Sequence, residues 1–180
     1  MALAFTPVFL AGIDNSGPQH WQSMWHAQAP NGVWVEHNSW GNPDRDVWVR
    51  EFDDALRAIE GPKLLIAHSL GCTLVAEWAC EHEDDAVLGA FLVAMPDAHG
   101  ANFPSAAVGF GKRQQVRLPF HTVVIASEND PYSSMEHASA AAERLGAHLV
   151  NVGRKGHVNA DSGLGDWPEG RSVLTDEFMR

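Results

Sequence analysis

Lys63-Leu-Leu-Ile-Ala-His-Ser-Leu-Gly-Cys-Thr-Leu-Val-Ala-Glu-Trp-Ala-Cys80 is the stretch on which the fold turns. A short apolar run, Leu64 to Ala67, follows the breaker pair Gly61-Pro62. It breaks at His68-Ser69-Leu70-Gly71 and resumes as an apolar segment long enough for a helix, with Glu77 its only charge. That pattern predicts a buried strand, a tight turn and a helix buried on most sides. With serine at the turn, it is the plan of a nucleophile elbow. The hydroxyl projects from a strained corner, and the unpaired N–H groups of the helix start face the place where an oxyanion would form. The usual G-x-S-x-G reads here Ala67-His68-Ser69-Leu70-Gly71, and alanine still permits a close strand–helix crossing. A buried Ser-Gly turn without chemistry is the competing reading, because such pentapeptides recur by chance.

On the N-terminal side, Pro7-Val-Phe-Leu-Ala11 reads as a strand ending at Gly12, and the loop Gly12–Pro18 is rich in turn formers. Pro18 suits the first turn of a helix through Trp21 and Trp25, which share one face. Packing onto the sheet is the plain role for that pair; one ring lining a pocket mouth is the alternative. Val33–His37 reads as a second strand. Asn42-Pro43-Asp44 introduces a helix from Asp46 to Ile59, with Val47, Val49, Phe52, Leu56 and Ile59 inward and Asp53, Asp54 and Arg57 outward.

On the C-terminal side, Ala86–Met95 and Thr122–Ala126 read as strands. Between them residues 96–119 show no period and suit a lid loop beside a site. Ser134 opens an alanine-rich helix that stops at Gly146, His148–Val152 is the last strand, and Trp167-Pro168 precedes a closing helix through Phe178. Strands alternating with helices over 1–180, without repeat or linker, predict one α/β domain: three α/β/α layers around a mainly parallel sheet, with no cap domain.

Composition narrows the function. A net charge of −11 leaves few cations to neutralise phosphates, which argues against nucleic acid and anionic membrane surfaces. Cys72 and Cys80 stand eight residues apart on the proposed helix, about 12 Å along its axis, beyond disulfide reach. Unpaired thiols fit a reducing compartment. The apolar N-terminus has no lysine or arginine, the first in the chain being Arg45, and no run reaches the roughly 20 residues a bilayer needs, so a cytoplasmic location is expected. The acidic cluster Glu81–Asp85 reads as a solvated helix end, and the ten histidines contain no metal-binding spacing. No metal and no cofactor are expected.

In parallel α/β sheets the site lies past the carboxyl ends of the strands. Ser69, Asp130 and His157 each follow a predicted strand, in the chain order that α/β-hydrolases use. A neutral serine hydroxyl needs a base; His157 would take its proton and Asp130 would orient the imidazole. The backbone N–H of Leu70, with that of Ile13 after the first strand, would form the oxyanion hole. Asp97 is the alternative acid, Asp130-Pro131 also reads as a plain turn, and His68 and Cys72 read as packing. Asn159 and Asp161 are expected to brace the His157 loop.

Gly12–Trp21 with Trp25, Ala67–Cys72, Ser127-Glu-Asn-Asp-Pro-Tyr132, and Gly156-His-Val-Asn-Ala-Asp-Ser-Gly-Leu-Gly165 before Trp167-Pro168 resemble the small serine hydrolases related to retinoblastoma-binding protein 9, a group that includes bacterial YdeN-type α/β-hydrolases. The resemblance runs over nearly the whole chain. It implies a compact, largely capless α/β-hydrolase with Ser69, Asp130 and His157 as its triad. The expected activity is metal-free hydrolysis of a small-molecule ester through an acyl-enzyme. Amidase or aminopeptidase-like cleavage by the same triad, or a protein-binding module with incidental hydrolysis, are the competing readings. Trp21, Trp40 and Phe103 are the candidates to line the substrate pocket.

Overall fold

Apolar residues alternate along the strands and sort onto the two faces of one sheet. The computed structural model describes residues 5–179. The first four residues of the apolar N-terminal stretch, read as part of a buried strand, lie outside them. In chain order the elements are β1 (Thr6–Leu10), α1 (Trp21–Ala27), β2 (Val33–Trp34), α2 (Arg45–Arg57), β3 (Lys63–His68), α3 (Leu70–Trp78), β4 (Val87–Val93), β5 (His121–Ala126), α4 (Met135–Leu145), β6 (His148–Asn151), a 3-10 turn (Ala160–Ser162) and α5 (Pro168–Phe178). The six strands run parallel in the order β2-β1-β3-β4-β5-β6.

Two hydrophobic layers follow from the period of two along each strand. Val8, Leu10, Leu65, Ala67, Ala90, Leu92 and Val124 meet α2, α3 and α4 on one face. Phe9, Leu64, Ile66, Phe91, Val93, Val123 and Ile125 meet α1, α5 and Trp167 on the other. The expected three-layer architecture is the one observed, and α3 is buried along its whole length. No helix among the described residues is long and apolar enough to cross a membrane.

Several local expectations are corrected. Pro18 lies outside the first turn of α1, whose N-cap is His20; its imidazole accepts the N–H of Gln22. The second strand pairs over Val33–Trp34 rather than through His37, because only this segment runs alongside β1. Asp53 faces inward: Trp78 of α3 donates its indole N–H to it at 3.1 Å, and Arg57 covers its other oxygen at 2.6 Å. Trp48 occupies the core in place of the half-buried Val47.

Glu77, the lone charge of α3, forms a buried pair with Arg45 of α2 at 3.1 Å. Its other carboxylate oxygen accepts the N–H of Gly111 at 2.9 Å. A buried charge needs such partners. Here they tie the 96–119 segment to α3, the helix that follows Ser69. That segment contains neither helix nor strand, yet Ala107, Phe110 and Leu118 anchor it in the core. Glu81 and Asp84 of the acidic cluster pair with Arg45 and Lys63, and no group of side chains able to hold a metal ion occurs among the described residues.

Candidate active site

The chain leaves β1 toward β2 on one side and returns to β3 on the other, so the sheet has its switch point between β1 and β3. Crevices at such points, beyond the carboxyl ends of the strands, are where parallel α/β sheets bind ligands. Ser69 stands there, between β3 and α3, with φ 53° and ψ −124°. A non-glycine residue in this region is strained by about 1–3 kcal/mol, and the strain thrusts its side chain away from the sheet. The strand–helix crossing leaves no room at Gly71, where a Cβ would collide with the carbonyl of Leu10 and lie 2.9 Å from that of Ala11.

Ser69, His157 and Asp130 come together from three loops. Oγ of Ser69 lies 2.8 Å from Nε2 of His157, and Nδ1 of His157 lies 2.9 Å from each carboxylate oxygen of Asp130. With Nδ1–H donating to the carboxylate, Nε2 is the free acceptor for the serine hydroxyl. The Asp130 side chain is 2% exposed and that of His157 is 10% exposed. The loops after β5 and β6 are stitched together. Glu128 N–H donates to the carbonyl of Gly153, Lys155 N–H to Oγ of Ser127, and Gly156 N–H to Oδ1 of Asn129. Asp97 lies apart from His157; it accepts the N–H of His99 and faces His137.

Leu70 and Ile13 both line the cavity around Ser69. Leu70 opens α3 and its N–H has no acceptor within the helix. Among the described residues the N–H of Ile13 donates to no other backbone group. Gly12 brings that loop against the serine: a Cβ there would sit 2.9 Å from Cβ of Ser69.

The cavity has a volume of about 260 Å³. Ile13, Leu70, Pro96, Phe103 and Pro104 form an apolar wall, so Phe103 and the 96–119 segment are where the sequence reading expected them. Trp21 and Trp40 do not line it. Trp21 is fully buried against Trp25 and Trp167, because its face of α1 is the one turned to the sheet. Trp40 packs edge-on against His37 and Trp48, over α2. The cavity residues that the sequence did not single out include Tyr132, whose ring lies 4.6 Å from that of His157, and His20, 4.5 Å from His68. Asp-Pro-Tyr after a strand was the available signal for the first; nothing local marked the second.

Burial raises the Cys72 thiol well above the ordinary range, so it stays protonated, its S–H on the carbonyl of Val93. Burial, and then the neighbouring His157, lower His20 from 6.5 to about 4. Burial also pulls His68 well down, with His20 and His157 adding to it. The unfolded chain therefore binds more protons than the fold in mild acid. The stability that His20 contributes is whole above pH 6.5 and is lost as pH falls from there toward about 4. Urea midpoints are expected to drop over that window, and His20→Asn, which keeps a helix cap, is expected to flatten the drop. An unchanged slope would locate the acid sensitivity elsewhere.

Residues 7–176 match the family model described as serine hydrolase. Among solved structures, a YdeN-like hydrolase from Pectobacterium atrosepticum is 28% identical and superimposes with a TM-score of 0.84, over 96% of this chain and 90% of that one. The ydeN gene product of B. subtilis is 19% identical with a TM-score of 0.76, over 98% and 100% of the two chains. An α/β serine hydrolase homologue from Coxiella burnetii is 15% identical with a TM-score of 0.68, over 99% and 86%. The last two likenesses concern the fold alone. No curated protein sequence gives a significant match. A family match over most of the chain and a YdeN-like neighbour that superimposes on nearly all of it lead to one conclusion: this chain belongs to the serine hydrolase family, as a small YdeN-type hydrolase of the α/β-hydrolase superfamily.

Proposed function

We propose that this hydrolase is an esterase acting on small carboxylic esters through an acyl-enzyme, with Ser69, His157 and Asp130 as its triad. One observation carries the reading: an unbroken line of hydrogen bonds, 2.8 Å and then 2.9 Å, runs from the serine oxygen through the imidazole to a nearly inaccessible carboxylate. In this reading His157 takes the Ser69 proton as Oγ attacks the ester carbonyl, and the oxyanion accepts the N–H groups of Leu70 and Ile13. Collapse of the tetrahedral intermediate breaks the C–O bond, and the leaving alcohol departs with the proton from His157. Water, deprotonated by the same imidazole, then releases the acid and restores Ser69. Asp130 stabilises the transient imidazolium without taking its proton.

The cavity volume of about 260 Å³ and its wall of Phe103, Pro104 and Ile13 favour short apolar acyl groups. A fluorophosphonate probe is expected to label the wild-type protein at Ser69, located by peptide mass, and to spare Ser69→Ala. On p-nitrophenyl esters of graded length, the shortest acyl chains should turn over fastest, well ahead of aminoacyl amides. Faster cleavage of the amides would move the assignment to an amidase. Folded protein that resists the probe would overturn it.

A further inference from the structure

The backbone that carries His157 is held in an unfavourable conformation. Val158, the next residue, has φ 50°. For a β-branched side chain this left-handed geometry is a genuine outlier, and it persists only where surrounding contacts impose it. Two buried side chains hold the carbonyls on either side of it. Nε2 of His68 lies 2.9 Å from the carbonyl oxygen of His157, and Nε1 of Trp21 donates to the carbonyl of Val158 at 2.8 Å. Because a carbonyl only accepts, His68 carries its proton on Nε2. Consecutive carbonyls of one strained loop are thus gripped from β3 and from α1.

His20 backs this grip. Its Nδ1 accepts the N–H of Gln22, so its proton is also on Nε2. That Nε2 is buried and has no hydrogen-bond partner, and the His20 ring stands at 70° to the His68 ring, with centroids 4.5 Å apart. Gln22, fully buried in the first turn of α1, donates to the carbonyl of Leu10 at the end of β1 and to that of Ile66 within β3. The start of α1 is therefore fastened to β1 and β3, and it presents His20 and Trp21 from a fixed base.

We propose that His68 and Trp21 are positioning residues: together they clamp the strained backbone of residues 157 and 158 and so hold the imidazole of His157 over Ser69. The inference deepens the esterase reading and rests on it. Releasing either grip lets Val158 relax toward ordinary backbone angles, and the ring at 157 swings off the serine while the apolar wall of Ile13, Phe103 and Pro104, which lies outside the clamp, stays in place. The consequence falls on the chemical step rather than on substrate binding. Displacing a reacting group by about 1 Å typically costs about 10² in rate.

The test is steady-state kinetics on one short p-nitrophenyl ester, with the rate of fluorophosphonate labelling and a melting curve for each variant. His68→Leu removes the donor and is expected to lower kcat by about 10², with KM within about threefold of wild type. His68→Gln, whose amide N–H can reach the same carbonyl, is expected to recover most of that loss. Trp21→Phe keeps an aromatic ring without the donor, and a fall in kcat of about tenfold at little-changed KM is expected. If His68→Leu does not fold, His68→Gln and Trp21→Phe decide the matter. Equal losses in His68→Gln and His68→Leu, or a change confined to KM, would overturn the clamp. So would a wild-type labelling rate in His68→Leu, and in that case the esterase reading stands. Wild-type protein that never reacts with the probe would remove both.

Discussion

Ser69→Ala is expected to lower kcat/KM on a short p-nitrophenyl ester by about 10⁶, with His157→Ala close behind and the double variant hardly worse than either. The non-additivity is the informative part. Oγ and Nε2 sit 2.8 Å apart and act on one proton, so removing either partner leaves the other nothing to do. Independent contributions would multiply, and a double variant much slower than both singles would show that the residues do not work as a unit. A residual rate above that in water is expected in all three variants, because the proposed oxyanion donors, the N–H groups of Leu70 and Ile13, are backbone and survive the substitutions. The same position carries a stability signature of the opposite sign. Its φ of 53° is strained for serine and for alanine but not for glycine. Ser69→Gly should therefore be more stable than Ser69→Ala by about 1 kcal/mol in urea denaturation, although both are expected to lose turnover alike. Equal stabilities would mean that the elbow is less strained than its angles indicate.

Gly71→Ala is expected to reduce both stability and turnover, and the loss of stability should be about 2–3 kcal/mol. In an open helix this change stabilises by up to about 1 kcal/mol, so the sign here reports crowding. The added methyl meets the carbonyls of Leu10 and Ala11, which are backbone at the end of β1. β1 is paired on both sides, by β2 and β3, and cannot give way. The start of α3 must move instead, and Leu70 moves with it, away from the N–H of Ile13. Losing one oxyanion donor typically costs about 10²–10³ in kcat, and if Leu70 has that proposed role a loss of that size is expected here with little change in KM. A variant as stable and as active as wild type would mean that strand and helix do not cross as closely as described.

Three loops of the candidate site were legible because their signals are local. A breaker pair, an apolar run and a Ser-Gly corner within Gly61–Gly71 announce strand, turn and helix wherever the segment sits. The rule that sites lie past strand ends then selects Ser69, Asp130 and His157 out of many polar residues. Ser134 and Gly146 marked the ends of α4 in the same way, through a cap that accepts the N–H of His137 and a left-handed terminus. Two of the three pocket aromatics failed for the converse reason. Trp21 and Trp40 were chosen by residue type, and type does not say which face of a helix or loop meets the sheet. Asp53 read as outward by helical period, yet a tryptophan N–H arriving from another helix made burial tolerable.

The sequence by itself determined the layered parallel fold and the three polar residues at its strand ends, because period, turn chemistry and chain order are properties of neighbours along the chain. Only the tertiary structure decided that the serine, imidazole and carboxylate lie within proton-transfer distance, and that Phe103 rather than Trp21 or Trp40 walls the cavity. It alone brought His68 and Trp21 onto the backbone beside His157, from 89 and 137 residues away. Contacts of that kind depend on how far two helices and a sheet approach one another. That distance is set by the packing of the whole core, which no short stretch of sequence encodes.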